Sequence, residues 1–177
     1  MKRIRLSKSD LRRLFGSTNP LAPLKGEGAK PRRPKTPPVN SSPVGRQWAA
    51  EQTAKNNARR IFVAGRFKNP TNTIAQGGAF WAARREVDRV RATVAAECRA
   101  FRVSRKLPVR VSITRLSAGT LDAHDNLRTA LKPVADGVAD YFETKNDVEG
   151  FAWIYDQSKA PAGCGGVIVE FSPNDPF

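Results

Sequence analysis

The chain has 177 residues, about the length of one domain, and its 31 Lys and Arg against 16 Asp and Glu give a formal net charge of +15. No window approaches about 18 apolar residues, and no apolar run follows the basic start, so neither a membrane span nor a secretory signal is expected. Cys98 and Cys164 lack CxxC spacing and are expected as thiols in a reducing cytoplasm. The charge favours a polyanionic partner, most often nucleic acid, with a merely soluble basic protein as the alternative.

The positive charge is concentrated at the N-terminal end of the chain. Residues 1–60 carry 15 basic and 3 acidic side chains, whereas residues 61–177 carry 16 and 13. The chain therefore divides into a cationic arm, placed at residues 1–46, and a nearly balanced folded domain, placed at residues 47–177. A body of this size can bury a hydrophobic core without disulfides or a structural metal.

The arm is predicted to be basic, Pro-rich and largely disordered. Proline alternates with cations between Pro31 and Pro38, and no apolar anchor is present. A short helix over residues 7–15 is the exception, because Ser7 and Asp10 match the form of a capping box. Such an arm either follows nucleic-acid phosphates or is a solubilising tail, and the sequence leaves both open.

The body alternates strands and helices. In chain order, the hydrophobic pattern predicts a strand at 61–65, a helix at 79–101, a strand at 109–114, a helix at 125–142, and strands at 151–155 and 167–171. The turn from Gly163 to Gly166 predicts that the last two strands pair antiparallel. Pro133 lies inside the second helix and is expected to kink or restart it. The predicted fold class is α/β, a small mixed sheet with two main helices.

The first predicted helix of the body has a basic face. Val87, Val90 and Val94 recur at helical spacing, and Arg84 and Arg85 are interleaved with them. This face either contacts a nucleic-acid backbone or is a solvated helix surface. The residues assigned to DNA contact along the whole chain are Arg12, Arg13, Arg32, Arg33, Arg84, Arg85 and Arg128.

Acidic residues flank the second predicted helix of the body. Asp122 precedes it, Asp125 lies at its start, and Asp147 follows it before the next strand. Two or three carboxylates in an otherwise basic protein indicate a Mg²⁺ site, although a helix N-cap at Asp125 and scattered surface aspartates would also explain them. His124 is the only histidine, a candidate base or ligand, and one histidine makes no zinc site. No GxxxxGK[ST] loop is present, so no nucleotide cofactor is expected.

An ordered set of short motifs carries a family resemblance. In chain order these motifs are Asn69-Pro70-Thr71-Asn72, Asp125-Asn126-Leu127, Lys132, Asp136 and Asn146-Asp147. With strands and helices between them, residues 61–177 resemble the RusA-type Holliday junction resolvases. These are small dimeric Mg²⁺-dependent endonucleases, often carried by phages and prophages.

The resemblance implies a crossover-junction endodeoxyribonuclease that acts on branched or duplex DNA in recombination or repair. It implies a homodimer in the cytoplasm of a bacterial or phage-infected cell. Mg²⁺, or alternatively Mn²⁺, would be held by Asp122, Asp125 and Asp147, with Lys132 offsetting charge on the phosphate. The residues with supporting roles would be Asn126, Asp136 and His124.

The chain departs from the family pattern at two acidic positions. Where the family usually has a pair of aspartates before the following strand, this chain has Asn146-Asp147. Where the family has an acid two residues before Asp125, this chain has Ala123, and Asp122 lies one residue further away. A catalytically inactive nucleic-acid-binding protein on the same fold is therefore one alternative. A basic structural protein that binds RNA or DNA, with the aspartates as helix caps and surface charge, is another.

Overall fold

The computed structural model describes residues 37–68, 80–122, 126–147 and 149–173. Within these residues the chain forms three helices and four strands. Their bounds are α1 (Pro43–Thr53), β1 (Arg60–Ala64), α2 (Phe80–Ala100), β2 (Val109–Ser117), α3 (Asn126–Tyr141), β3 (Phe151–Lys159) and β4 (Gly165–Pro173). The predicted α/β class and the predicted order of the strands and main helices are confirmed. The predicted disordered arm up to residue 36, its short helix and the turn at 69–72 lie outside the described residues.

Helix α1 precedes the elements that the sequence predicted. Ser42 caps it, accepting a hydrogen bond from the Gly45 amide at 3.0 Å, and proline occupies its first turn. Trp48 packs edge-on against Phe62 of β1, with ring centroids 5.6 Å apart. Upstream of the helix, Asn40 makes two side-chain hydrogen bonds to the Gly165 backbone. Tertiary contacts of this domain therefore begin before residue 47.

The sheet has the strand order β1-β4-β2-β3. β2 and β3 pair in parallel, with Val109 opposite Phe151, and β4 pairs antiparallel with both β1 and β2. The predicted antiparallel pairing of the last two strands is wrong, because β2 lies between β3 and β4. The glycine-rich turn therefore carries the chain from β3 across β2 to the position between β2 and β1, where β4 lies. A long crossover through α3 joins the parallel strands β2 and β3.

The core lies between the sheet and the two long helices. Val111 and Ile113 of β2 are fully buried, and Val94 of α2 and Leu131 of α3 pack into the same cluster. The helices approach closely at Gly137, where a Cβ would lie 2.7 Å from the backbone oxygen of Arg91. α3 runs from Asn126 to Tyr141 with Pro133 inside it, so the helix does not restart there, and the alternative expectation of a kink at Pro133 stays a prediction.

Both cysteines are buried free thiols, as the sequence predicts. Burial raises the pKa of the Cys98 thiol to about 12, so this group stays protonated and packs as an apolar side chain. Of the helices in the described ranges, none combines the length and the apolar character that crossing a membrane requires.

Replacing Gly166 by alanine is expected to destabilise the sheet. The new Cβ would overlap the buried Phe62 ring and lie 2.9 Å from the carbonyl oxygen of Val63. We expect the free energy of unfolding in urea to fall by about 1–3 kcal/mol, the usual effect of overpacking. Gly119→Ala is the control, because no atom lies within 4 Å of a Cβ built there. Equal stability of the two variants would contradict the close approach at Gly166.

Candidate active site

Three polar side chains meet where the loop after α3 folds back against that helix. The Lys132 ammonium lies 3.1 Å from Oδ1 of Asp136, one turn further along α3. The Asn146 side-chain amide donates a hydrogen bond to the same carboxylate oxygen. The Trp153 indole of β3 donates to the Asn146 backbone carbonyl at 2.8 Å. We call Lys132, Asp136 and Asn146 the Asp136 cluster; a helix, a loop and a strand fix it together.

The exposure of the cluster is uneven. The Lys132 side chain is 64% exposed, whereas that of Asp136 is 20% exposed. The carboxylate is therefore held near the protein surface, and the ammonium extends from it into solvent. A lysine held in this way is oriented by its neighbour and still accessible to an anionic ligand.

Further cations lie within electrostatic reach of Asp136. Arg91 pairs with Asp140 at 2.8 Å, and this hydrogen bond raises the pKa of the arginine, with a smaller contribution from Asp136. Burial raises the pKa of the Tyr155 phenol; the nearby Arg128 opposes the shift and Asp136 adds to it. The Arg128 guanidinium lies 5.3 Å from the centroid of the Tyr155 ring. This side of α3 thus brings together the carboxylates of Asp136 and Asp140 with the cations Arg91, Arg128 and Lys132.

The chain leaving β2 is fixed to β3 just before Asp122. The Gln157 side chain accepts a hydrogen bond from the Leu121 amide at 2.8 Å and donates one to the Leu121 carbonyl at 2.7 Å. The Asp122 carbonyl then accepts from the amide of Leu127 at 2.9 Å. Asp122 is exposed, so its side chain lies at the surface near the start of α3.

A buried arginine holds two loops together at the same end of β2. The Arg115 guanidinium donates to the carbonyl oxygens of Phe67 and Gly119, at 3.1 and 2.9 Å, and to the Ser117 hydroxyl at 3.1 Å. Arg115 is 7% exposed and forms no ion pair with a carboxylate among the described residues. Burial, and then the charge of Arg66, lowers the pKa of Arg115. It was not among the predicted site residues, although it continues the buried alternation of Val111 and Ile113.

The predicted ligand residues are described only in part. His124 and Asp125, with Ala123, lie outside the described residues. Asp147 is exposed and follows Asn146 directly in the chain. Asn146 contacts α3 at Asp136, which is about 15 Å along the helix from its first residue at the 1.5 Å rise per residue. The meeting of Asp122, Asp125 and Asp147 therefore stays a prediction.

The described residues include only part of the predicted metal centre. Among them, no group of three or more His, Cys, Asp or Glu side chains could hold a metal ion. Asp136 is the one carboxylate of the Asp136 cluster, and both neighbours in the cluster donate to its Oδ1. Mg²⁺ commonly takes one or two carboxylates together with substrate phosphate. The predicted Mg²⁺ site at Asp122, Asp125 and Asp147 therefore depends on Asp125, which lies outside the described residues.

The predicted DNA-binding arginines differ in what the structure describes. Arg12, Arg13, Arg32 and Arg33 lie outside the described residues. Arg84 and Arg85 are exposed on α2, and Arg84 makes a long 3.7 Å ion pair with Asp88. Their aromatic neighbour Trp81, which is 71% exposed, was not among the predicted DNA-binding residues. Trp81 lies three and four residues before Arg84 and Arg85, so the three side chains are neighbours on the helix surface. This spacing is the signal that could have identified Trp81.

Comparisons with family models, with curated proteins and with solved structures gave no match for this chain. The resemblance to RusA-type nucleases therefore stands on the motifs quoted above.

Replacing Arg115 by lysine is expected to destabilise the protein although the charge is kept. One ammonium cannot satisfy three acceptors that a planar guanidinium reaches at fixed angles, so buried carbonyls lose their donors. We expect a loss of about 1–3 kcal/mol in the free energy of unfolding, measured by urea denaturation. Arg110→Lys is the control, since Arg110 is half-buried in the same strand. The proposed role of Arg115 is wrong if both variants unfold at the wild-type midpoint.

Proposed function

We propose that this chain is a Mg²⁺-dependent endonuclease that cuts branched DNA, in the manner of RusA-type junction resolvases. The observation that carries the proposal is the Asp136 cluster. The resemblance selects the positions of Lys132, Asp136 and Asn146, which are spread along helix α3 and the following loop, and their side chains are in contact. The net charge of +15 supplies the attraction to a polyanion.

Within this proposal, Lys132 contacts the substrate, and Asp136 positions the Lys132 side chain. The exposed ammonium offsets negative charge that builds on the phosphate oxygens during cleavage. Asp136 orients the ammonium, and Asn146 in turn orients the Asp136 carboxylate through its amide. When bound at Asp122, Asp125 and Asp147, Mg²⁺ or Mn²⁺ would activate a water molecule for attack on phosphorus.

The proposed substrate and assembly follow from symmetry. A four-way junction has two strands of like polarity to cut, and a two-fold homodimer carries two equivalent sites. Cleavage of both strands by one dimer would release two duplexes. The basic arginines of the chain would add phosphate contacts that weaken as salt rises. The bacterial or phage-infected cytoplasm is the proposed compartment.

A second candidate function is a junction-binding protein that does not cut. The feature that favours it is Asn146, an amide at a position where the family has an aspartate. As a hydrogen-bond donor to Asp136, this side chain lowers the negative charge available to a cation near the cluster. A protein of this kind would bind four-way junctions tightly and leave them intact with Mg²⁺ and with Mn²⁺.

Replacing Lys132 by glutamine is expected to slow cleavage more than it weakens binding. We expect the single-turnover cleavage rate on a four-way junction to fall roughly 10²–10³-fold, the usual effect of removing one group that stabilises transition-state charge. Junction affinity, measured by gel shift, should change by less than about tenfold, because one phosphate contact among several is lost. The control is Lys145→Gln, an exposed lysine in the loop after α3. Cleavage by Lys132→Gln at the control rate would contradict the assigned role.

Replacing Asp125 by asparagine is expected to abolish cleavage while junction affinity is kept or increased. The substitution removes a carboxylate ligand and also a negative charge close to the bound phosphates. Cleavage with Mg²⁺ and gel-shift affinity in Ca²⁺ measure the two effects separately. Glu51→Gln, at an exposed carboxylate of α1, is the control. Full cleavage by the Asp125 variant would reject the proposed ligand set.

A further inference from the structure

Helix α2 begins with two aromatic side chains that remain in solvent. Phe80 is 55% exposed and Trp81 is 71% exposed. Their rings are in edge contact, with centroids 5.4 Å apart and planes at 78°. Large exposed apolar patches commonly mark binding surfaces, and two adjacent aromatic rings in solvent make this end of α2 a candidate for one. We call Phe80 and Trp81 the aromatic platform.

The surroundings of the aromatic platform are cationic. Arg84 and Arg85 follow Trp81 by three and four residues, so they are its neighbours on the helix surface, and both are exposed. Arg84 makes a long 3.7 Å ion pair with Asp88 that leaves the two side chains 64% and 56% exposed. Charge complementarity therefore points to an anionic partner.

The pairing of exposed aromatic rings with arginines selects one kind of anion. Nucleotides present a flat π-face beside a phosphate, and aromatic side chains stack on any base while cations follow the backbone. Bases inside a duplex already stack on each other and cannot reach a flat ring on a protein surface. Bases at a strand break, a bubble or a branch point can.

We propose that the aromatic platform stacks on unpaired or branch-point bases of DNA, and that Arg84 and Arg85 contact the flanking phosphates. The choice of DNA rests on the function proposed above, and the platform supplies the preference for branched over fully paired strands. Because stacking tolerates every base, this preference is for DNA structure and not for sequence.

Tryptophan fluorescence of the full chain tests the proposal, because the chain has only three tryptophans. Trp48 is half-buried against Phe62, and Trp153 is half-buried and stacked on Phe151 with centroids 4.9 Å apart. Trp81 is the exposed one, so base stacking should quench its emission. The probes are an oligothymidine, a four-way junction and a duplex, at equal phosphate concentration in EDTA. We expect quenching with the first two and little with the duplex; equal quenching by the duplex would overturn the proposal.

Two substitutions of Trp81 separate stacking from other roles. Trp81→Phe keeps a flat ring, so binding should persist while the quenching signal is lost. Trp81→Ala removes the ring, and the oligothymidine affinity should fall roughly 5- to 150-fold, which corresponds to about 1–3 kcal/mol for one stacked base. Val44→Ala, at an aliphatic residue that is 70% exposed, should bind as wild type. Wild-type affinity of Trp81→Ala, or a change in its oligomeric state without a change in affinity, would overturn the proposal.

The experiments distinguish failure of the proposed stacking role of the aromatic platform from failure of the proposed nuclease activity. Junction cleavage by the wild type, with equal affinity of Trp81→Ala and wild type for DNA, would overturn the platform and leave the nuclease. Base-dependent quenching by a wild type that never cuts would support the platform and overturn the nuclease. A Trp81→Ala variant that needs more protein to cut, yet reaches the wild-type rate at saturation, supports both.

Discussion

Strand β2 lies between β3, with which it pairs in parallel, and β4, with which it pairs antiparallel, and the rest of the fold depends on this arrangement. Because β2 pairs in parallel with β3, the chain must return along the sheet before β3 begins, and α3 makes this return. The buried valine and isoleucine side chains of β2 support α2 and α3 on the core. The return path brings the loop after α3 against the middle of that helix, where Asn146 meets Asp136. The Asp136 cluster is thus a consequence of strand pairing.

Much of the fold could be predicted from periodic hydrophobic patterns. The two long helices and all four strands followed from spacing that places apolar side chains on one face. The pairing of the last two strands could not be read in this way. A short glycine turn is a local signal for a hairpin, whereas the insertion of β4 beside β2 is decided by contacts across the whole sheet. Helix α1 was missed because its stability comes from the Ser42 cap and the Trp48 contact with Phe62.

The residues of the candidate site could be predicted only in part, and their contacts could not. The resemblance selected Lys132 and Asp136 and marked the position of Asn146, but not that the Asn146 amide would bond to Asp136. The burial of Arg115 was implied by strand alternation, because it shares the face of Val111 and Ile113, yet a charged residue there goes against the usual rule. One of its acceptors, the Phe67 carbonyl oxygen, lies 48 residues away in the chain, and only the folded chain brings it beside the nearby Gly119 carbonyl oxygen.

Under the proposed function, the charge distribution would give the protein two separable means of handling DNA. Lys132, held at Asp136, presents one oriented cation beside a helix, which is what a reacting phosphate would require. Arg84, Arg85 and the aromatic platform are solvent-exposed, and in the proposed role they would bind a strand without fixing its sequence. Phosphate contacts supply affinity that depends on salt, whereas stacking depends much less on salt.

Strand-specific mapping of cuts in a labelled four-way junction tests the central claim most directly. With Mg²⁺, the wild-type chain should place paired nicks at symmetric positions in two strands of like polarity, and EDTA should prevent both. An intact junction with either Mg²⁺ or Mn²⁺, under conditions in which the protein binds it fully, would contradict the account.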